Sequence, residues 1–149
     1  MEAAAQLMRK GVDTAKITDR TYYEKTYVQN QILGRALLES VLFYDGKCIF
    51  TTVTIDEMEF YGVTGRELGG IVEQLRLTDG VEVAIFLYQT GEEEYKVSLR
   101  SKKKIDVAAI ATQFGGGGHV RAAGYTAKGS VYQIINSIGE LIEKQYNAM

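Results

Sequence analysis

The stretch VSLRSKKKIDVAAIATQFGGGGHVRAAGYT, residues 97–126, carries a strand, a helix and a second strand in one continuous run. Residues 97–100 alternate apolar and polar side chains, which is the pattern of a strand with one buried face. Asp106 can cap a helix whose evenly spaced apolar residues would bury one side, namely Val107, Ile110, Ala111 and Phe114. Gly115 is the natural stop of that helix, and residues 122–129 predict a short edge strand.

The rest of the chain extends this pattern in both directions. Asp45-Gly46 separates two β-rich runs and is a strong signal for a tight hairpin turn. Residues 81–89 predict a buried strand that pairs with residues 93–101. Helices are predicted at 2–10, 13–25, 26–39, 64–76 and from 130 onward, the last two behind capping boxes. The predicted fold class is α+β, a mixed sheet of about five strands flanked by helices in a single domain.

Length and composition point to one soluble globular domain, since the 149 residues are 46% hydrophobic and 24% charged. The formal net charge of −2 argues against a surface that grips long nucleic acid, but allows a local basic site for a small anion. Cys48 is the only cysteine, so we expect no internal disulfide and a buried thiol in a cytoplasmic protein. No apolar run approaches the roughly 18 residues that span a membrane, so no membrane partner is predicted.

Residues 115–118 are four consecutive glycines, and His119, the only histidine, follows them directly. Glycine adopts backbone angles that other residues avoid, so successive N–H groups can converge on an anion. We interpret the run as a phosphate-binding backbone, with His119 as a hydrogen-bond donor to the ligand. The alternative is a flexible connection. A metal site at His119 is not expected, because a single imidazole does not make a coordination sphere.

The stretch KVSLRSKKK, residues 96–104, supplies a second candidate. On a strand, Val97 and Leu99 point to one face, because side chains alternate. Lys96, Ser98 and Arg100 then point to the other face. A guanidinium group can hold a phosphate with two hydrogen bonds, so this polar row is suited to an anionic ligand. The alternative is a solvated edge, as is usual for charge runs such as residues 102–104.

Together, these residues resemble the C-terminal DHH-associated domain of the DHH phosphoesterases. The similarity is closest to the oligoribonuclease and pAp-phosphatase members of the NrnA type, which are relatives of RecJ. It rests on the Ser-x-Arg-Ser strand at 98–101, the helix start at 105–108, GGGGH at 115–119 and Ala-Ala-Gly at 122–124. The strand GVEVAIFLYQ and the early LMRKGVD also look like this group, so the resemblance covers nearly the whole chain.

The resemblance implies the substrate-binding part of a two-domain enzyme. Serine and arginine on the strand would contact the nucleotide or its phosphate, the glycine N–H groups would cradle phosphate, and the histidine would reach into the active-site cleft. The site residues that it implies are Ser98, Arg100, Ser101, Gly115, Gly116, Gly117, Gly118 and His119. The implied partners are nucleotides or short oligonucleotides such as pAp and nanoRNA, with a homodimer left open.

The resemblance places catalysis and its manganese in an N-terminal DHH domain, where aspartates and histidines hold the metal. This sequence has no Asp-His-His motif, so no catalytic residue, metal ligand or cofactor is expected in it. Residues 1–39 are therefore predicted to be a helical lead-in from such a domain, and residues 40–149 to be the DHH-associated nucleotide-binding domain. The chain alone is expected to hydrolyse nothing.

Three alternatives stay open at this point. The C-terminal domain of alanyl-tRNA synthetases has a related glycine-rich motif, but would predict a different residue after the glycines and a more basic surface. An exopolyphosphatase-like member of the same superfamily would bind a polyanion without base contacts. A regulatory or dimerisation module would keep only a vestigial site. Titration with a mononucleotide and with pyrophosphate separates these alternatives.

Overall fold

A computed structural model describes residues 24–149 of the protein. They form an α+β fold around one six-stranded mixed sheet, so the predicted fold class is confirmed, with six strands where about five were expected. The helix predicted at 2–10 and nearly all of the helix predicted at 13–25 lie outside the described residues. None of the helices within residues 24–149 is long and apolar enough to cross a membrane.

The strands and helices alternate along the chain. The strands are β1 (Val41–Phe43), β2 (Cys48–Val53), β3 (Val83–Gly91), β4 (Glu94–Ser101), β5 (Gly117–His119) and β6 (Ala122–Lys128). The helices are α1 (Tyr27–Leu38), α2 (Ile55–Tyr61), α3 (Ile71–Arg76), α4 (Val107–Gln113) and α5 (Val131–Asn147), and a short 3-10 helix spans Gly65–Leu68. The strand order across the sheet is β1-β2-β3-β4-β6-β5.

Local side chains set the ends of these elements. Thr26, Thr54 and Ser130 each cap a helix by accepting a hydrogen bond from a backbone N–H of its first turn, in complete capping boxes. The hairpin predicted at Asp45-Gly46 is confirmed, because β1 and β2 pair in antiparallel register on either side of it. β2 and β3 are parallel, and the segment with α2 and α3 makes the crossover that parallel strands require.

Helices cover the two faces of the sheet to different extents. Helices α4 and α5 cover one face with an apolar core that includes Ile85, Leu99, Ile110 and Ile138. Helices α1 to α3 cover the other face where it is formed by β2 and β3, with a core that includes Ile32, Ile49, Leu75 and Phe86. On that second face, the side chains of β4, β6 and β5 are half-buried or exposed. This uncovered part of the sheet is where the candidate site lies.

The predicted helix at 64–76 is split in two. Thr64 forms the predicted capping box with Glu67, but the turns that follow are a 3-10 helix rather than an α-helix. Gly70 then takes a left-handed conformation with φ 96° and becomes the N-cap of α3. The two glycines at 69–70 therefore end one helix and start another, because a positive φ interrupts the helical hydrogen-bond ladder.

The edge of the sheet differs from the prediction. Residues 122–128 form β6, which lies between β4 and β5 and is not an edge strand. The edge is β5, formed by Gly117–His119, so the end of the glycine run is itself a strand paired with β6. The sequence pattern misses this strand because glycine has a low preference for strands. The pairing arises from the hairpin that Val120 and Arg121 make between the two strands.

Cys48 is fully buried at the start of β2, as predicted. Burial raises the pKa of its thiol to about 12. The thiolate that reacts with electrophiles or metals is therefore scarce near neutral pH, which fits a structural role within the apolar core.

Candidate functional site

The register of three strands brings the two candidate regions onto one surface. Arg100 of β4 lies opposite Ala122 of β6, which in turn lies opposite His119 of β5. Directly opposed residues project from the same face of a sheet. Arg100 and His119 therefore share a face, with their backbones separated by two strand spacings, about 10 Å.

A second row runs parallel to the first. Ser98 lies opposite Gly124, which lies opposite Gly117. Between the polar side chains, the floor of the surface consists only of the small residues at positions 117, 122 and 124. We call this surface the open face, defined by Lys96, Ser98, Arg100, Gly117, His119, Ala122, Gly124 and Thr126. Its members are all half-buried or exposed, so a ligand can approach the sheet closely.

The first two glycines of the run terminate α4. Gly115 has φ 87° and donates its N–H to the carbonyl oxygen of Thr112, at 3.1 Å. Gly116 donates its N–H to the carbonyl oxygen of Ala111, at 2.9 Å. These two hydrogen bonds are those of a Schellman motif. The expected phosphate cradle of four glycine N–H groups is therefore not formed, because the helix end uses two of them.

Steric contacts distinguish the glycines further. A Cβ atom on Gly116 would lie 2.2 Å from the carbonyl oxygen of Gly124, and one on Gly118 would lie 2.6 Å from the Cα of Ala123. Both positions require glycine because β6 passes too close for a side chain. A Cβ on Gly117 meets nothing within 4 Å, and its φ is not positive. Neither packing nor the backbone angle therefore explains the glycine at position 117.

Arg100 is held in place from two sides. Its Nε donates to the Oε2 of Glu73 on α3 at 2.6 Å, and its Nη1 donates to the carbonyl oxygen of Leu99 at 3.0 Å. Among the described residues, Nη2 has no hydrogen-bond partner. The side chain is 25% exposed. The guanidinium group is thus anchored at the border between the covered part of the sheet and the open face, with donors left for a ligand.

Ser101 lies in a different environment. Its register partner on β3 is Val83, its exposed fraction is 1%, and its hydroxyl donates to the carbonyl oxygen of Ile105 at 2.6 Å. The structure therefore does not bring Ser101 together with Ser98 and Arg100. Its direct contact with a ligand stays a prediction, while the hydrogen bond that the structure contains is with the protein backbone.

The loop after β4 is organised around a buried carboxylate. Glu82 is 8% exposed, and its side chain accepts hydrogen bonds from the backbone N–H groups of Lys103, Lys104 and Ile105. Burial alone would raise the pKa of Glu82, but these backbone hydrogen bonds outweigh it and hold the pKa below its usual value. The backbone N–H groups of residues 103–105 therefore already bind a carboxylate of the protein itself.

Arg121 completes this arrangement. Its guanidinium group donates to the carbonyl oxygens of Lys103 and Ile105, the latter at 2.6 Å, and to the hydroxyl of Ser101 at 3.3 Å. The N–H of Val107 also donates to the carbonyl of Val120 at 2.9 Å. We call Glu82, Ser101 and Arg121 the clamp. It fixes the turn between β5 and β6, and with it the position of His119.

The sequence analysis missed Glu73, Glu82 and Arg121. Arg121 lies within the motif stretch, but nothing local shows that its partners are backbone carbonyls near residue 104. Glu82 interrupts an otherwise apolar run, 81–87, and a charged residue in a buried strand needs a partner, which is the signal that could have found it. Glu73 carries no such signal.

Neither a metal-binding cluster of residues 24–149 nor either of the two cavities described next lies on the open face. Within residues 24–149, no group of three histidine, cysteine, aspartate or glutamate side chains could hold a metal ion. A cavity of about 260 Å³ lies between β1 and α5 and is lined by Phe43, Cys48 and Ile135. Another, of about 200 Å³, lies beside Phe114, Tyr125 and Ile134. Both lie on the side of the sheet that α5 covers, opposite to the open face.

Comparison with known families identifies this architecture. The family model of the DHHA1 domain matches residues 45–145. The chain belongs to the DHHA1 domain family. The matched residues include all the strands from β2 to β6, and with them the clamp and the open face. The family resemblance stated from the motif stretch is therefore confirmed.

Known proteins agree with this assignment. The chain is 35% identical over 130 residues to the bifunctional oligoribonuclease and PAP phosphatase NrnA of Thermus thermophilus, covering 87% of this chain and 38% of that protein. The chain thus spans less than half the length of this relative. An exopolyphosphatase-related protein from Bacteroides fragilis has the same fold, with a TM-score of 0.79 and 24% identity over 94% of this chain and 41% of that one.

A more distant structure shares the fold as well. A pGpG-specific phosphodiesterase from Vibrio superimposes with a TM-score of 0.54 and 10% identity, covering 80% of this chain and 39% of that chain. The part that this chain matches is less than half of each of these three proteins. The structural similarity therefore covers the part of these proteins that matches this chain, and not the rest of them.

Proposed function

We propose that the open face binds the phosphate group of a nucleotide or of a short single-stranded nucleic acid. The domain then serves as the substrate-binding part of a metal-dependent DHH phosphoesterase. The observation that carries the proposal is the strand register, which aligns Ser98, Arg100 and His119 on one open surface with only small residues between them.

Each donor has a specific role in this proposal. Arg100 provides a charge-assisted hydrogen bond to a phosphate oxygen, which is stronger than a neutral one. Ser98 adds a hydroxyl from the neighbouring row, and His119 adds a ring N–H from the sheet edge. Gly117 keeps the space between them open, so that the ligand lies against the backbone of β5 and β6.

The comparisons support the kind of ligand. The Thermus thermophilus relative is named for oligoribonuclease and PAP phosphatase activities, and both act on phosphate esters of nucleotides. In this proposal, a separate DHH domain that holds manganese carries out the hydrolysis. The sequence has one histidine, and residues 24–149 offer no metal-binding cluster, so the metal and the water that it activates are proposed to come from that partner domain.

Isothermal titration of the chain with AMP, pAp, a ribodinucleotide and pyrophosphate tests the proposal. We expect dissociation constants between about 1 μM and 1 mM for the nucleotides, and weaker binding of pyrophosphate. Arg100→Ala is expected to weaken nucleotide binding by about 1.5–3 kcal/mol through loss of a charge-assisted hydrogen bond. Lys144→Ala on α5 is the matched control, because it removes one positive charge from the opposite side of the sheet.

Three outcomes would overturn this proposal. Equal affinity for pyrophosphate and nucleotides would indicate a polyanion site without base contacts. Absence of binding for every ligand would indicate a vestigial site. Equal losses for Arg100→Ala and Lys144→Ala would show that binding follows net charge rather than the open face.

A second experiment concerns catalysis. The chain, incubated with Mn²⁺ and a short oligoribonucleotide or pAp, is expected to release no product. Turnover that stays with the protein through successive purification steps would show that a catalytic metal site exists outside the partner domain that we propose.

A further inference from the structure

The ion pair between Glu73 and Arg100 joins two residues that lie 27 positions apart in the sequence. Helix α3 buries Ile71, Val72 and Leu75 against the sheet, and this packing turns Glu73 toward β4. The carboxylate is itself anchored on its own helix, because its Oε1 lies 3.4 Å from the Nη2 of Arg76. The geometry is therefore set by the docking of α3 on the sheet.

Stability alone does not account for this pair. The side chains of Arg100 and Glu73 are 25% and 48% exposed, and pairs exposed to this extent contribute little to folding, since water screens them. Their separation is nevertheless only 2.6 Å between Nε and Oε2, which is a short, charge-assisted hydrogen bond. A well-oriented but weakly stabilising contact at the border of the open face is suited to a role in binding.

We propose that Glu73 is a positioning residue, which orients the guanidinium group of Arg100 for the ligand of the open face. This inference rests on the proposed function and extends it to a residue that does not itself touch the ligand. Glu73 occupies the Nε–H and the carbonyl of Leu99 occupies an Nη1–H. The planar group is thereby fixed at two corners, and its Nη2 corner is presented to the phosphate.

The carboxylate has two opposing effects on an anionic ligand. It orients Arg100, which favours binding, and its negative charge repels phosphate, which disfavours binding. Two variants of Glu73 with the same charge separate the orienting effect from the repulsion. Glu73→Gln and Glu73→Ala both remove the charge, but only glutamine keeps an oxygen that can accept the Nε–H of Arg100.

The test measures AMP affinity of both variants by isothermal titration, with thermal melts of each to check folding. We expect Glu73→Gln to bind AMP about two- to tenfold more tightly than Glu73→Ala, which is the range of one net hydrogen bond. The same comparison in an Arg100→Lys background is expected to show no difference, because lysine has no Nε–H at that position.

A nuclear magnetic resonance measurement gives a readout without ligand. The Nε–H signal of Arg100 is expected to be resolved and slow to exchange with water in the parent protein and in Glu73→Gln, but to exchange fast in Glu73→Ala. A purely structural role of Glu73 would change the melting temperature without this ordering of AMP affinities.

The failures of the two proposals can be told apart. Equal AMP affinities for Glu73→Gln and Glu73→Ala, together with a clear loss for Arg100→Ala, would overturn the positioning role and leave the binding site intact. A difference between the glutamine and alanine variants that persists in the Arg100→Lys background would also overturn it. Unchanged affinity for Arg100→Ala would overturn the proposed function itself.

Discussion

The clamp and the open face meet at the end of β4, yet the polar groups of the two regions have opposite surroundings. In the clamp, Glu82 and Ser101 are 8% and 1% exposed, and their side chains bind backbone groups of the protein. On the open face, Ser98 is half-buried and His119 is exposed. One residue step on β4, from Arg100 to Ser101, separates the two regions.

This difference shows how neighbouring residues can serve two purposes, with the clamp stabilising the fold and the open face available for binding. A buried carboxylate or hydroxyl must be paired, because an unpaired one costs free energy. Changes in the clamp should therefore lower the free energy of unfolding. An exposed donor on the open face loses little when its side chain is removed, so changes there should lower ligand affinity and leave stability unchanged.

The largest effect is expected for Glu82→Ala. This change leaves the N–H groups of residues 103–105 without their acceptor, so the free energy of unfolding should fall by about 3 kcal/mol. Urea denaturation followed by circular dichroism measures it. Glu143→Ala on the exposed side of α5 is the matched control and should stay within about 0.5 kcal/mol of the parent. Equal effects of the two changes would remove the distinction between the clamp and the surface.

A pair of adjacent glycines sharpens the comparison. Gly116→Ala places a methyl group 2.2 Å from the carbonyl oxygen of Gly124, so it should destabilise the fold by about 1–3 kcal/mol. Gly117→Ala places its methyl group in open space on the open face. It should melt like the parent protein and bind AMP more weakly, because the methyl group occupies the space proposed for the phosphate. Full AMP affinity in a folded Gly117→Ala variant would contradict the location of the site.

Acid provides a milder test of the clamp. Because hydrogen bonding lowers the pKa of Glu82 in the folded state, its contribution to stability is complete above the ordinary glutamate pKa of about 4.3. That contribution is lost as the pH falls through the lowered value. Urea unfolding of the parent protein and of Glu82→Gln between neutral and acidic pH measures this. The parent should have a higher free energy of unfolding than Glu82→Gln near neutral pH, and this difference should shrink as the pH falls through the lowered pKa of Glu82. A difference that does not change with pH would count against a buried charge at Glu82.

The smallest effect is expected for Ser98→Ala. Loss of one neutral hydrogen bond should weaken AMP binding by about 0.5–1.5 kcal/mol, while the melting temperature stays unchanged. Ser137→Ala on α5 is the control for loss of a hydroxyl on the opposite side of the sheet and should leave the affinity as it was. Isothermal titration with AMP measures the affinity of both variants, and thermal melts measure their stability. If Ser98→Ala lowered the melting temperature but kept its AMP affinity, Ser98 would contribute to folding and not to binding.

Much of the candidate site could be predicted, and the errors have physical causes. The alternation of Val97, Ser98, Leu99 and Arg100 correctly places the polar pair on one face, because side-chain direction along a strand is a local property. The same alternation places Ser101 on the other face, although the motif groups it with Ser98 and Arg100. The phosphate cradle of four N–H groups was expected from glycine content alone, which cannot show that Gly115 and Gly116 close the end of α4.

The sequence by itself determined the features that depend on neighbours in the chain. These are the turn at Asp45-Gly46, the capping boxes at Thr64 and Ser130, and the apolar side of α4. Each follows from backbone angles or from hydrogen bonds within a few residues. The family also follows from the sequence, because its motif is one continuous stretch.

Only the tertiary structure decided which distant residues meet. Strand β6 lies between β4 and β5, which aligns Arg100 with His119, and neither residue specifies that order locally. Glu73 and Glu82 reach their partners across 20 or more positions. Such contacts depend on strand register and on how helices dock against the sheet. Both are set by the burial of the whole apolar core rather than by any single segment.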